Sequence, residues 1–427
     1  MKFLYERTIL SNGLRVLSQK IPGIKSVSVG IFIGAGSRYE PPKIAGISHF
    51  IEHMLFKGTT QRPKPQMISE EIESVGGILN ASTDKEVTIF YTKVGGNHFV
   101  KSLDVLMDMI QNPIFLPEEI ERERSVILEE LSMTYDQPDA LADLLIDQAL
   151  WPSQPMGTDV GGTRETVNSI TKARLNDYHA NQYVPSNIVI AVAGDVEHDY
   201  LLREINSRMS SIYDQPRKFE IEPVKQAYSN TISVVLNEKP TEQTHFCLAF
   251  NGVAITNVDS YALDMLSTVL GEGMTSRLFL EVRENLGLAY DIHSSSIHYS
   301  DCGATVIGCG SDSAKVDLTI AAILRELRET KIHVSARELS RAIEYSIGRL
   351  HLRMEDTRAV MIWLGAQEIL RGDIITVDEI ESKLRSITTE DLRVASENYI
   401  DFGMSRLSVV GPHSDKHEFE QLLSSII

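Results

Sequence analysis

Cysteine is scarce in this chain. Of 427 residues, only Cys247, Cys302 and Cys309 are cysteines. An odd and small number with no Cys-x-x-Cys pair argues against a disulfide framework and fits a reducing compartment. Cys302 and Cys309 are expected to be core or near-core thiols in strands. Long apolar runs are missing too. No run approaches the ~18 residues that would span a bilayer, so no membrane segment is expected. The stretch Met1–Arg7 has no apolar signal region and is not rich in Arg and Ser. Neither a secretory signal nor a transit peptide is read there, and a cytoplasmic protein is expected. Positive charge is in deficit, with 41 Lys and Arg against 59 Asp and Glu, a net charge of −18. This argues against nucleic acid and anionic membranes as partners. It suits basic peptides, although many soluble proteins are acidic for solubility alone.

What remains is an ordinary globular composition, 42% hydrophobic and 23% charged. The length exceeds one ordinary core, so two or more domains are expected.

Within it, Ser48-His49-Phe50-Ile51-Glu52-His53 stands out. On a helix, histidines four residues apart share one face, one turn from each other, and can share a metal ion. Glu52 projects beside that face. His-x-x-Glu-His is the inverted order of the zinc-protease motif His-Glu-x-x-His. Neutral imidazoles hold zinc, an open position holds water, and a nearby carboxylate takes the water's proton. The same residues can also meet by chance on a helix face, so a third ligand is required.

The candidate for that ligand is the stretch Pro117–Leu131. Pro117 suits a first helical turn, and Glu118 and Glu119 suit its positive end. Ile120, Ile127, Leu128 and Leu131 mark a buried side. Glu123 and Glu130 fall on one stripe, two turns apart. A solvated acidic face is the competing reading of this run.

Together, the segment Ser48–Thr59 and the run Glu123–Glu130 resemble the pitrilysin family of inverzincin zinc metallopeptidases. Within it they resemble the small-subunit branch that includes the mitochondrial processing peptidase beta subunit, in its bacterial type. The resemblance implies a third zinc ligand on a later helix, at Glu130, 77 residues after His53. It also implies a supporting carboxylate at Glu123, one Zn2+ per chain held by His49, His53 and Glu130, and Glu52 as the base. Glu129 is the neighbour that could be mistaken for the ligand.

Read in order, residues 26–33 form a strand in a sheet covered on one face. Gly58 is expected to end the metal helix as its C-cap. Residues 66–75 are a helix, and 78–83 with 87–94 are a hairpin. Gly76-Gly77, Asn80-Ala81, Thr83, Glu86, Thr88 and Tyr91 match the family's hairpin motif. In relatives this edge strand pairs with the bound peptide, which makes Asn80 and Ala81 substrate-binding candidates. A strand-end polar residue is the other reading of Asn80. Helices follow near 97–110, 117–135, 139–150, 171–182 and 198–212, with a strand at 187–193. The stretch 213–224, with Pro216, Pro223 and several charges, reads as a linker.

After it the order repeats: strands near 231–236 and 244–251, a helix at 260–270, a hairpin-like pair at 289–299 and 303–310. Helices at 313–330, 335–354, 358–371 and 388–399 and a late strand at 407–410 complete it, before a final helix. Two halves with one order suggest duplication. The expected fold is α+β. Two homologous α/β domains, each a mostly antiparallel sheet carrying helices, face each other across a central cavity. The N-terminal catalytic domain is 1–212 and the C-terminal domain 225–427.

The segment Gly273–Tyr290 also resembles the family, in which an Arg and a Tyr seven residues apart reach the substrate. Arg283 and Tyr290 fit that spacing. A tyrosine hydroxyl can donate to an oxyanion, and a guanidinium can hold a peptide carbonyl. Purely structural roles are the alternative. The reading that results is a zinc-dependent endopeptidase acting on unfolded or presequence-like peptides bound as a strand. It would work as a homodimer or beside a related subunit. The competitors are a non-catalytic assembly subunit and a peptide-capturing member of the same family.

Overall fold

The computed structural model describes residues 4–209, 214–225 and 231–425. Two mixed sheets organise the chain. The first contains β1 (Glu6–Ile9), β2 (Arg15–Lys20), β3 (Ser26–Ile33), β4 (Ile78–Thr83), β5 (Thr88–Gly95) and β6 (Ile188–Gly194), in the order β1-β2-β6-β3-β5-β4. The second contains β7 (Ser233–Glu238), β8 (Gln243–Asn251), β9 (Ala289–His298), β10 (Gly303–Asp312) and β11 (Arg406–Gly411), in the order β7-β11-β8-β10-β9. Apart from β1, the two orders are the same. In each, one parallel pair, β2 with β6 or β7 with β11, sits at one side of an otherwise antiparallel sheet. In each, the first strand of a hairpin, β4 or β9, forms the opposite edge. The fold is therefore α+β and built from two matching halves. Its strand repeat is stronger evidence of duplication than helix order, because register and direction must both recur.

β3 departs from the expected one-sided strand. Seven of its eight residues are buried. Val27, Val29, Ile31 and Ile33 face one apolar cluster, and Phe32 faces another. The second cluster exists because the helix Thr357–Leu370, far along the chain, lies on this sheet. Its Val360, Met361 and Leu364 meet Phe32, Leu17, Val189 and Ala191. Two glycines permit the approach. A Cβ on Gly365 would stand 2.0 Å from the Phe32 ring, and one on Gly30 would stand 2.2 Å from Met361 Sδ. Ser28 and Thr357 hydroxyls, 2.9 Å apart, satisfy each other in that buried layer.

The reciprocal exchange occurs in the second sheet. The helix Pro138–Leu150 packs Leu141, Leu145 and Ile146 in one cluster with Cys247, Ala249, Val306 and Val410. Ser408 Oγ donates to Ala142 O at 2.7 Å. The compact units accordingly comprise residues 1–131, 159–222 and 350–378, and residues 132–158, 223–349 and 379–427. The expected domains are 1–212 and 225–427; each compact unit is assembled from three chain segments. Apolar faces find their covers by complementarity, whichever half supplies them. Residues 214–225 contain no helix or strand, and residue 213 lies outside the described residues.

A consequence follows for truncation. Residues 1–225 expressed alone should expose Phe32, Leu17, Val189 and Ala191, and should bind a hydrophobic dye and aggregate. Fusing residues 350–378 back through a flexible linker should cover that face, lower the dye binding and raise the urea midpoint. Equal stability of the two chains would show that this helix does not complete the core.

Smaller differences have local causes. A helix at Val377–Ser386 lies where none was expected, and its run buries only Val377 and Leu384. Cys309 is buried in β10, but Cys302 is half-buried in the turn just before that strand. Among the described residues, no helix is long and apolar enough to cross a membrane.

Candidate metal centre

The helix Ile47–Leu55 buries Ile47, Phe50, Ile51, Met54 and Leu55, which leaves His49, Glu52 and His53 on its other side. Its start is held by backbone shape and charge. Gly46 has φ 90°, and a Cβ there would stand 2.4 Å from Gly161 O. Only glycine tolerates both conditions. The buried Glu40 accepts from Gly46 N at 2.6 Å and from Ser48 N at 2.7 Å. Both of its oxygens thus satisfy first-turn amides at the positive end of the helix. Burial pushes the Glu40 carboxyl up to about 7, against the pull of those hydrogen bonds. The helix stops at Leu55, with Phe56 N donating to His53 O at 3.2 Å. Gly58 is therefore not its C-cap. Gly58 serves the following turn, where a Cβ would stand 2.9 Å from Pro63 O.

Three ligand atoms converge above this helix. His49 Nε2 and His53 Nε2 are 3.3 Å apart. Glu130 Oε2 lies 3.8 Å from the first and 3.5 Å from the second. A tetrahedral ion with bonds of about 2.0–2.2 Å separates its ligand atoms by about 3.4 Å, so the set fits a metal without rearrangement. His49 and His53 side chains are 21% and 16% exposed, and Glu130 is 45% exposed, which leaves the set open on one side. Among the described residues, no other group of three His, Cys, Asp or Glu side chains gathers in this way. Glu129 is exposed and outside the group.

The surroundings prepare these atoms. Glu123, two turns from Glu130 on the helix Pro117–Asp136, places Oε2 3.1 Å from His53 Nδ1. Its Oε1 pairs with Lys57 Nζ at 2.8 Å. A carboxylate on Nδ1 fixes the His53 tautomer and leaves Nε2 free to ligate. Burial opposes the Glu123 charge, yet the His53 and Lys57 partners hold its carboxyl below the usual range. Burial also opposes a charge on His53, but Glu123 and the nearby Glu130 and Glu52 carboxylates raise it overall. His49 differs. Burial first, then the neighbouring His53, lowers it to about 4, so its imidazole is neutral and its lone pair available. His49 Nδ1 is buried without a hydrogen-bond partner.

Glu52 stays outside the ligand group. Its Oε2 accepts from Thr83 Oγ1 at 2.6 Å. Burial raises its carboxyl, with the Thr83 bond opposing, which makes it a better proton acceptor than an exposed glutamate. Thr83 ends β4, the free edge of the first sheet. Ala81 and Asn80 precede it on that strand, opposite Phe90 and Tyr91 of β5. Asn80 Oδ1 accepts from Ala81 N at 2.8 Å. Arg283 and Tyr290 belong to the second unit and pair with each other there. The guanidinium carbon lies 4.9 Å from the Tyr290 ring centre.

Glu40 and Lys57 escaped the reading of the sequence. Glu40 has no periodic relation to the metal helix, since two short 3-10 turns, Ser37–Tyr39 and Pro42–Ile44, bring it back to Gly46. Lys57 was visible just past the motif, but its partner Glu123 is fixed only by packing.

The chain is similar to a peptidase family and to proteins named as zinc proteases. A model of the insulinase family, peptidase family M16, matches residues 15–164, and the peptidase M16 inactive domain matches residues 169–345. An uncharacterized zinc protease of Streptomyces coelicolor is 34% identical over 417 residues, covering 96% of this chain and 90% of the relative. An uncharacterized zinc protease of Bacillus subtilis is 34% identical over 388 residues, covering 91% and 93%. The crystal structure of a protease from Helicobacter pylori superposes with a TM-score of 0.89 at 22% identity, covering 96% of this chain and all of that one, and so shares the fold. Relatives that share a third of their residues along nearly the full length of both chains are homologues. This chain therefore belongs to peptidase family M16, the pitrilysin-type family that its inverted motif resembles.

Proposed function

We propose that this protein is a zinc endopeptidase that cuts unfolded peptides, presequence-like segments among them, bound as an extended strand. The observation that carries the reading is the convergence of His49 Nε2, His53 Nε2 and Glu130 Oε2, with Glu52 beside them but not among them. Zinc is the metal named in the relatives, and two imidazoles with one carboxylate suit it. His49, His53 and Glu130 would hold the zinc, which would supply Lewis-acid polarisation of the scissile carbonyl and of a water molecule.

The chain's own groups then divide the work. Glu52, aligned by the Thr83 hydroxyl, takes the proton of the attacking water and returns it to the leaving amine. Glu123 holds the His53 ring in its ligating tautomer. The free edge of β4, with Asn80 and Ala81, offers main-chain groups to a substrate strand. The Tyr290 hydroxyl donates to the developing oxyanion, and Arg283 holds a peptide carbonyl. A base held beside the ligand set favours catalysis over a purely structural subunit, which has no use for one.

Purified protein should carry one zinc per chain and cleave a denatured polypeptide. A chelator should abolish cleavage without unfolding the protein, and added Zn2+ should restore it. Cleavage that survives complete zinc removal would overturn the mechanism. Zinc and peptide binding without cleavage would instead establish a peptide-capturing protein.

A further inference from the structure

The segment leading to Tyr290 has an unusual backbone. Residues Phe279–Asn285 form a π-helix, closed where Leu286 N donates to Glu281 O at 3.0 Å. Such turns are rare and concentrate at functional sites. Leu288 N then donates to Val282 O at 2.9 Å, and Gly287, at φ 59°, reverses the chain into β9. This return sets Tyr290 against Arg283. On its other side, Arg283 meets the ring of Phe279. The guanidinium carbon lies 4.7 Å from the Phe279 centre and 4.9 Å from the Tyr290 centre. The cation is thus held by two rings. Its carboxylate neighbour, Glu284 Oε1, stands 3.7 Å away, beyond hydrogen-bond length. Ring contacts use the charge of a guanidinium and none of its N–H donors. The donors therefore remain available to a ligand, and Tyr290 beside them is 76% exposed.

We propose that Phe279 is a positioning residue for peptide binding. It clamps Arg283 against Tyr290, so that the guanidinium and the phenol form one preset pair. Buried Leu278 and Val282 anchor the turn that carries them. The proposal rests on the reading above that Arg283 and Tyr290 meet the substrate. Preorganisation of this kind lowers the entropy lost when a long side chain engages a ligand.

The test is a double-mutant cycle on the full zinc-loaded chain, with steady-state cleavage of one unfolded peptide. Phe279→Leu should raise KM about 2–5-fold, the weight of one exposed cation–ring contact, with little change in kcat. Zinc content should not change. Phe279→Tyr, which keeps the ring, should restore KM and also guards against a general packing defect in the Leu variant. In an Arg283→Met background, Phe279→Leu should add no further loss. If Arg283→Met lowers kcat/KM but Phe279→Leu leaves KM unchanged, or adds its full effect in that background, the positioning role is overturned while the substrate role of Arg283 stands. If Arg283→Met itself has no effect, the reading of Arg283 as a substrate contact fails, and the clamp has nothing to position.

Discussion

Glu52→Gln is expected to keep the fold and the metal and to lose peptide cleavage by at least about 10²–10⁴-fold, the usual weight of a general base. The side chain keeps its shape, and its amide oxygen can still accept from the Thr83 hydroxyl, which now donates to Glu52 Oε2 at 2.6 Å. The variant loses the proton-accepting carboxylate alone. That group is not among the converging ligand atoms, so zinc content should stay at the wild-type level. Burial already raises the Glu52 carboxyl, so the wild-type group holds a proton more firmly than an exposed glutamate, and the amide cannot hold one at all. Cleavage of an unfolded peptide by the purified variant, beside metal analysis, gives the answer. Wild-type turnover would remove Glu52 from the chemistry. Loss of zinc together with activity would instead make it part of the metal site.

The second large effect separates three glutamates on one helix. Glu130→Gln should lose zinc on dialysis against a weak chelator, by more than the about 10–100-fold that an outer-shell change costs in metal affinity. Glu123→Gln should fall within that 10–100-fold range, because Glu123 touches the metal set only through His53 Nδ1. Glu129→Gln should retain the metal. Successive helix residues point about 100° apart, and of these three glutamates it is Glu130 whose Oε2 stands within 4 Å of both imidazole Nε2 atoms. Retention of zinc by Glu130→Gln, with loss in Glu129→Gln, would rotate the whole assignment and leave Glu123 without its supporting role.

Several of these residues could be read before any coordinates. His49 and His53 share a face because helical periodicity leaves no choice once the segment is helical, and its buried Phe50, Ile51 and Met54 make it so. Glu123 and Glu130 fall on one stripe for the same reason. The hairpins and the doubled strand order were visible as alternation broken by turn residues. These are local properties, decided within about two helical turns or one strand pair.

Other features depended on partners far apart in the chain. Glu40 reaches the first turn of the metal helix through two short 3-10 turns whose course no periodicity records. The π-turn that brings Phe279, Arg283 and Tyr290 into one stack differs from an α-helix by a single hydrogen-bond step, too small a change to mark the residue pattern.

Most of all, the sequence determined that two similar halves would form, yet not which helices would cover which sheet. Phe32 and Leu364 are each legible as apolar. That they meet, across glycines at 30 and 365, depends on shape complementarity between surfaces more than three hundred residues apart. Hydrophobic burial is non-directional, so a pattern of apolar residues states that a face will be covered. Only close packing of the folded chain selects the cover.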